Sequence, residues 1–164
     1  QDAKEWFADV KKMINKVSFM LSQFEHMKFK DGVENSDSEL ELCKALTNFL
    51  HSGLNETSFN SLAIFLKKID SGKWPVLTLF PFLYDPVNYL FLKPEVTKDC
   101  AYRLGWPLKY NSQLNYETFQ DVQNFSKYLK DGIKGLEPQD NIDIQSLIYA
   151  VSKEGFIEEA VNSQ

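Results

Sequence analysis

The chain has 164 residues and a net charge of −5, and 43% of its residues are hydrophobic, including thirteen Phe, seven Tyr and three Trp. This supply is enough for a real core, so the fold needs no structural metal or disulfide. No apolar run approaches the ~18 residues of a membrane span, and the acidic balance argues against a general nucleic-acid binder. We expect one helical domain over 1–164, with possible subdomains at 1–72 and 73–164.

Cysteine usage and the first residues favour a cytoplasmic protein. Cys43 and Cys100 lie on separate predicted helices, with no CxxC motif and no His at ligand spacing. This arrangement is typical of two reduced thiols, although the sequence leaves a disulfide between them open. The opening QDAKEWFADVKK has no apolar segment of the kind found in signal peptides. Its start on Gln raises the expectation of a fragment of a longer protein.

Apolar residues recur at alternating four- and three-residue steps near the start of the chain. The spacing predicts one long helix over 4–28. The stripe is wider than a coiled-coil seam, so we expect it to pack against its own domain, with a protein partner or a second copy as the alternative. The stripe consists of Trp6, Val10, Met13, Val17, Met20, Phe24 and Met27, with Phe7, Ile14 and Leu21 as a second line.

The remaining sequence predicts further helices joined by short loops. Capping residues mark the starts, as at Asn55 and Asp140, and Gly marks several ends. Strand signals are few, so we predict a mainly α fold of seven or eight helices. The predicted helices span about 39–52, 56–70, 94–104, 115–129 and 142–151, with loops at 30–38, 105–115 and 130–141 and a short helix after Gly155.

Two proline-containing stretches have particular meaning. WPVLTLFPFLYDP (74–86) is the most apolar segment, and Pro81 would damage a central strand. We therefore predict a short buried helix that bends at Pro81. In FLKPEVTKDCAYRLGW (91–106), Pro94 suits the first turn of a helix and Gly105 suits its end.

The start of the helix at Pro94 is the predicted binding site. Residues 61–110 hold seven basic and four acidic residues, between two acidic flanks. Basic groups beside a helix N-terminus attract phosphate, so we predict anion or nucleic-acid binding there. The alternative is a plain helix start, because Pro94 lacks an N–H and Glu95 is negative. The predicted site residues are Lys93, Thr97, Lys98 and Arg103.

Motifs for catalysis, metals and nucleotides are missing from the sequence. It has no HExxH, no GxSxG, no Walker A and no GxGxxG. Asp140 and Asp143, with Glu137 nearby, are close enough to share a site, but a helix cap explains Asp140 more simply. We assign no catalytic residue, metal or cofactor, and an enzyme of unknown type stays open.

Four pieces of residues 73–151 carry a family resemblance, over about half of the chain. They are WPVLTLFPFLYDP, FLKPEVTKDCAYRLG, LNYETFQ and IDIQSLIYAV. Together they resemble a family of uncharacterised bacterial proteins without an established activity, so the resemblance implies a bacterial origin and no reaction. The stretch is also similar to all-helical DNA-repair glycosylase modules. It lacks their glycine hairpin and catalytic Lys/Asp arrangement, and no catalytic residue is carried over.

Overall fold

The computed structural model describes residues 3–34, 38–53 and 55–152, and these residues form eight α-helices, two short 3-10 helices and no strand. The predicted mainly α fold of seven or eight helices is therefore confirmed. The helices are α1 (Ala3–Lys16), α2 (Gln23–Glu34), α3 (Ser38–His51), α4 (Glu56–Lys68), α5 (Trp74–Tyr84), α6 (Pro94–Arg103), α7 (Tyr116–Gly132) and α8 (Asn141–Val151).

The chain forms two compact units, and the boundary between them lies between Phe80 and Pro81. We call residues 1–80 the N-terminal unit and residues 81–164 the C-terminal unit. Each unit has its own core of aromatic and aliphatic side chains. The expectation of a single domain, with possible subdomains, stays a prediction.

Aromatic rings hold the interior of each unit together. In the N-terminal unit, the ring centroid of Phe59 lies 6.1 Å from that of Phe49 and 6.2 Å from that of Trp74. In the C-terminal unit, Trp106 and Phe125 are 5.7 Å apart. These separations are typical of packed aromatic pairs, which contribute more to the stability of the fold than their buried area alone predicts.

The predicted single helix over 4–28 is wrong, because the chain turns between α1 and α2. A 3-10 helix at Ser18–Met20 interrupts the helical run. Ser22 and Glu25 then form a capping box: the Glu25 carboxylate accepts the Ser22 N–H at 2.9 Å, and the Ser22 hydroxyl accepts the Glu25 N–H at 3.2 Å. This reciprocal pair satisfies free N–H groups and fixes the start of α2.

The helices α1 and α2 lie antiparallel as a hairpin. Asn15 Oδ1 is 2.9 Å from His26 Nε2 near the turn, and Lys11 pairs with Glu34 towards the other end. Both helices contact α3. The hairpin buries the side chains Phe7, Val10, Ile14, Leu21, Phe29 and Val33.

The predicted loop over 30–38 starts too early, since α2 continues through Gly32 to Glu34. A Cβ at Gly32 would lie 2.6 Å from the Ile69 carbonyl oxygen and 2.8 Å from the Ile69 Cβ. Glycine therefore lets α2 approach the end of α4. The predicted cap at Ser36 lies outside the described residues, and α3 begins at Ser38.

Helices α4 and α6 end in the same hydrogen-bonded motif. After α6, the Trp106 N–H donates to the Ala101 carbonyl at 2.9 Å and the Gly105 N–H donates to the Tyr102 carbonyl at 3.1 Å. Gly105 has a φ of 71°, where glycine is favoured. Asp70 occupies the equivalent position after α4 with a φ of 56°. The predicted helix ends near residues 70 and 105 are thus confirmed.

The predicted starts of three helices are confirmed, two of them by side-chain caps. Asn55 accepts the Ser58 N–H at 3.0 Å, and Asp140 accepts the Ile142 N–H at 2.7 Å. Pro94 is the first residue of α6.

Near the C-terminus, one prediction differs from the structure and another lies outside the described residues. Helix α7 extends past the predicted residue 129 to Gly132, and a 3-10 helix follows at Lys134–Leu136 inside the predicted loop. The predicted helix after Gly155 lies outside the described residues.

We expect Gly32→Ala to lower the free energy of unfolding by about 1–3 kcal/mol, because the new methyl group overlaps the backbone of Ile69. Urea denaturation followed by circular dichroism measures the change. The control is Gly132→Ala, which is also helical and has nothing within 4 Å of the added Cβ. Equal stabilities of the two variants would contradict the expectation.

Candidate functional site

The four predicted anion-site residues lie in or next to α6. Lys93 is the residue before the helix, and its side chain is exposed. Thr97 is fully buried, and its Oγ1 has no hydrogen-bond partner among the described residues. A buried hydroxyl cannot reach a phosphate in solvent. Thr97 therefore belongs to the packed side of α6, together with Val96 and Cys100.

The basic side chains of α6 are paired with acidic ones. Lys98 Nζ lies 2.8 Å from Glu95, and Arg103 Nε lies 2.8 Å from Asp99. Lys98 also stands 5.0 Å from the centroid of the Tyr110 ring. Because each positive charge has a negative neighbour on the same helix, α6 offers little net positive field to an anion.

Other basic residues of the segment 61–110 are also paired. Lys109 Nζ pairs with Glu117 at 3.1 Å, and the Lys109 backbone N–H donates to the Asp121 carboxylate at 2.8 Å. In the N-terminal unit, Lys68 pairs with Glu41 at 2.6 Å. Four of the seven basic residues over 61–110 are therefore in ion pairs: Lys68, Lys98, Arg103 and Lys109.

The candidate acidic site is a helix start. Asp140 caps α8, and the Asp143 carboxylate accepts the Gln139 N–H at 2.8 Å. Both carboxylates are thus used by backbone groups, as a cap requires. Across residues 3–34, 38–53 and 55–152, no group of three His, Cys, Asp or Glu side chains could hold a metal ion.

The two cysteines are free thiols in different environments. Cys100 is fully buried on α6, and burial raises its pKa to about 11. Cys43 on α3 is only half-buried. A protonated thiol is a poor nucleophile, so Cys100 is unsuited to covalent catalysis at neutral pH.

A buried polar cluster in the C-terminal unit was not predicted. The Ser126 hydroxyl donates to Asn141 Oδ1, and the Asn141 N–H donates to the Pro86 carbonyl at 2.8 Å. Lys130 Nζ donates to the Val87 carbonyl, and burial lowers the pKa of Lys130. These bonds fix the non-helical segment after α5 against α7 and α8. The cluster therefore has a structural role.

Three large apolar side chains are exposed on the N-terminal hairpin: Phe19 by 80%, Phe24 by 61% and Met27 by 52%. We call them the hairpin apolar surface. Phe24 and Met27 are three residues apart on α2 and share one side of that helix. The assignment of Phe24 and Met27 to a packed stripe is therefore wrong, because the turn before α2 directs that side of the helix to solvent.

Two open grooves lie within the N-terminal unit. One is lined by Lys28, Asp31 and Asp70 among others, and Lys28 Nζ pairs with Asp70 at 2.7 Å. The other runs beside Glu41, which is paired with Lys68. The ion pairs Lys28–Asp70 and Glu41–Lys68 in these grooves link α2 with the end of α4 and α3 with α4.

No helix in the described part of the chain is long and apolar enough to cross a membrane. Neither the protein-family models nor the curated proteins nor the solved structures contain a match to this chain.

We expect iodoacetamide to alkylate Cys43 and spare Cys100 in the native protein at pH 8, since the Cys100 thiol is buried and stays protonated. Peptide mass spectrometry measures the modification at each position. Denaturation in guanidinium before alkylation is the control, and there both thiols should react. Rapid native labelling of Cys100 would show that the end of α6 opens.

We expect the protein to bind random-sequence duplex DNA too weakly to detect at 150 mM salt, roughly the physiological ionic strength, because Lys98 and Arg103 are ion-paired. Fluorescence anisotropy of a labelled duplex measures binding. Combining Glu95→Gln with Asp99→Asn frees both cations and should raise the affinity several-fold at low salt. Wild-type binding at 150 mM salt that is lost on Lys93→Glu with Lys98→Glu would contradict this expectation.

Proposed function

We propose that this chain is an assembly module that binds a second copy of itself through the hairpin apolar surface. The observation that supports the proposal is the exposure of Phe19, Phe24 and Met27 within nine residues of chain. Single exposed apolar residues are ordinary on protein surfaces, whereas a group of them indicates a contact surface. The alternative expectation was that the helix over residues 4–28 binds a partner. The proposed contact is limited to the part of that segment that carries Phe19, Phe24 and Met27.

A second copy suits this surface because an apolar patch is complementary to itself. Most soluble oligomers are built from identical subunits, and in a two-fold dimer the same patch lies on both sides of the contact. Aromatic residues and Met are enriched in the buried centres of interfaces. Phe24 and Met27 on one copy would meet the same pair on the other.

The size of the surface predicts weak association. Each of the three side chains exposes on the order of 100 Å². Together they provide about 300 Å², against roughly 800 Å² per partner in a standard interface. Polar residues around the surface must supply the remaining contact area. We therefore expect a reversible dimer with a Kd of roughly 10–100 µM, at the weak end of specific complexes.

Weak binding of nucleic acid at low salt is the second proposal. One observation favours it: Lys93 is exposed beside the first turn of α6, where the helix dipole is positive. It has less support than self-association, because Lys98 and Arg103 are paired and Thr97 is buried. Under either proposal we place the protein in a bacterial cytoplasm, on the basis of its two free thiols and the family resemblance of its sequence.

We expect Phe24→Glu to abolish self-association, because two buried carboxylates would face each other across the two-fold axis. Sedimentation velocity over about 10–500 µM, which brackets the expected Kd, measures the weight-average mass. The wild type should approach the dimer mass while Phe24→Glu remains a monomer. The control is Ile64→Glu on α4, an equally apolar position that is 69% exposed in the same unit, and it should behave as the wild type. A wild type that stays monomeric throughout contradicts the proposal.

A further inference from the structure

All three methionines of the chain lie in the N-terminal hairpin and its turn. Met13 is on α1, Met20 is the last residue of the 3-10 helix, and Met27 is on α2. Met27 is 52% exposed, whereas Met13 and Met20 are half-buried. The most accessible thioether of the chain therefore belongs to the hairpin apolar surface.

The exposure of Met27 makes it the methionine most open to oxidation. A peroxide transfers one oxygen atom to Sδ: an S–O bond forms, the O–O bond breaks, the sulfur loses two electrons, and the second oxygen leaves as water. A thioether, unlike a thiol, has no proton to lose before it reacts, so access to the sulfur determines the rate. The product is methionine sulfoxide, which replaces a flexible apolar side chain by a polar one.

A sulfoxide is poorly suited to an apolar contact. In the proposed dimer, apolar side chains of the partner cover Met27, and neither Phe19 nor Phe24 has a hydrogen-bond donor to offer. The sulfoxide oxygen would be a buried acceptor without a partner, which weakens binding. A two-fold dimer of oxidised copies contains this defect twice.

Resting on the proposed self-association, we propose that Met27 is a redox-sensitive modification site whose oxidation by a peroxide dissociates the dimer. The peroxide reacts with the free copy, because the partner covers Met27 in the dimer, and weak association keeps free copies present. Each oxidised copy leaves the binding equilibrium, so oxidation draws the population towards the monomer. A methionine sulfoxide reductase restores the thioether, and with it the dimer.

The rate of oxidation at each methionine tests whether the contact covers Met27. At about 10 µM protein, the low end of the expected Kd, hydrogen peroxide should oxidise Met27 several-fold faster than Met13 or Met20. At about 500 µM, above the expected Kd, the rate at Met27 should fall several-fold while the other two rates stay the same. Peptide mass spectrometry measures all three rates. In the control Phe24→Glu, which stays monomeric, Met27 should react equally fast at both concentrations.

The effect of oxidation on assembly is measured by sedimentation velocity. Dithiothreitol added after the peroxide reverses sulfenic acids and disulfides of the cysteines and leaves the sulfoxides. The Kd of the oxidised wild type should rise at least about tenfold, as expected for two buried acceptors without partners. The matched control is Met27→Leu, which keeps an apolar side chain without sulfur. It should dimerise like the wild type and keep its Kd after treatment with peroxide.

The outcomes separate this inference from the proposed function. A wild-type dimer that Phe24→Glu dissociates, but whose Kd is unchanged by complete oxidation of Met27, overturns the inference and leaves self-association standing. An equal loss of affinity in peroxide-treated Met27→Leu has the same consequence. A wild type that is monomeric before oxidation removes both. Loss of the dimer in the oxidised wild type alone, with recovery after treatment with a methionine sulfoxide reductase, supports the inference.

Discussion

The capping box between Ser22 and Glu25 is the constraint on which the N-terminal unit depends. It provides partners for N–H groups at the start of α2 and so fixes a new helix start twenty residues after the beginning of α1. Without that start, the apolar stripe would continue along a single helix. With it, α2 folds back on α1, Phe29 and Val33 enter the core, and the side of α2 that carries Phe24 remains in solvent. The exposed surface and the hairpin thus have one origin.

Local rules account for the parts of the fold that the sequence predicted well. Caps at Asn55 and Asp140, the proline at the start of α6 and the glycine after it act over two to five residues, and each is readable as a short pattern. The turn before α2 was missed for a related reason. Heptad spacing continues through it, since Leu21 lies seven residues after Ile14 and both are buried. The regular spacing of apolar residues therefore predicted one continuous helix, although the Ser-Gln-Phe-Glu capping signal marks the new start.

The predicted binding site shows that a count of charged residues does not determine the electrostatic field at a surface. A segment with excess Lys suggests a basic face, but the field depends on where the acids lie. On α6 the partners are three or four residues away and visible in sequence, as for Lys98 and Glu95. Between helices they are not, since Lys28 and Asp70 are 42 positions apart. The burial of Thr97 could be predicted from the sequence, because Thr97 lies four residues before Ala101 on the packed side of α6.

Long-range hydrogen bonds in the C-terminal unit give several of its buried polar groups a structural role. The segment after α5 is not helical, so its backbone groups need partners from elsewhere. Asn141 and Lys130 supply them, and the Gln123 carbonyl accepts the Leu90 N–H at 2.7 Å. These groups are used for folding and seven basic side chains are used in ion pairs, whereas Phe19, Phe24 and Met27 of the N-terminal hairpin are exposed. We therefore propose contact between copies as the function of the chain.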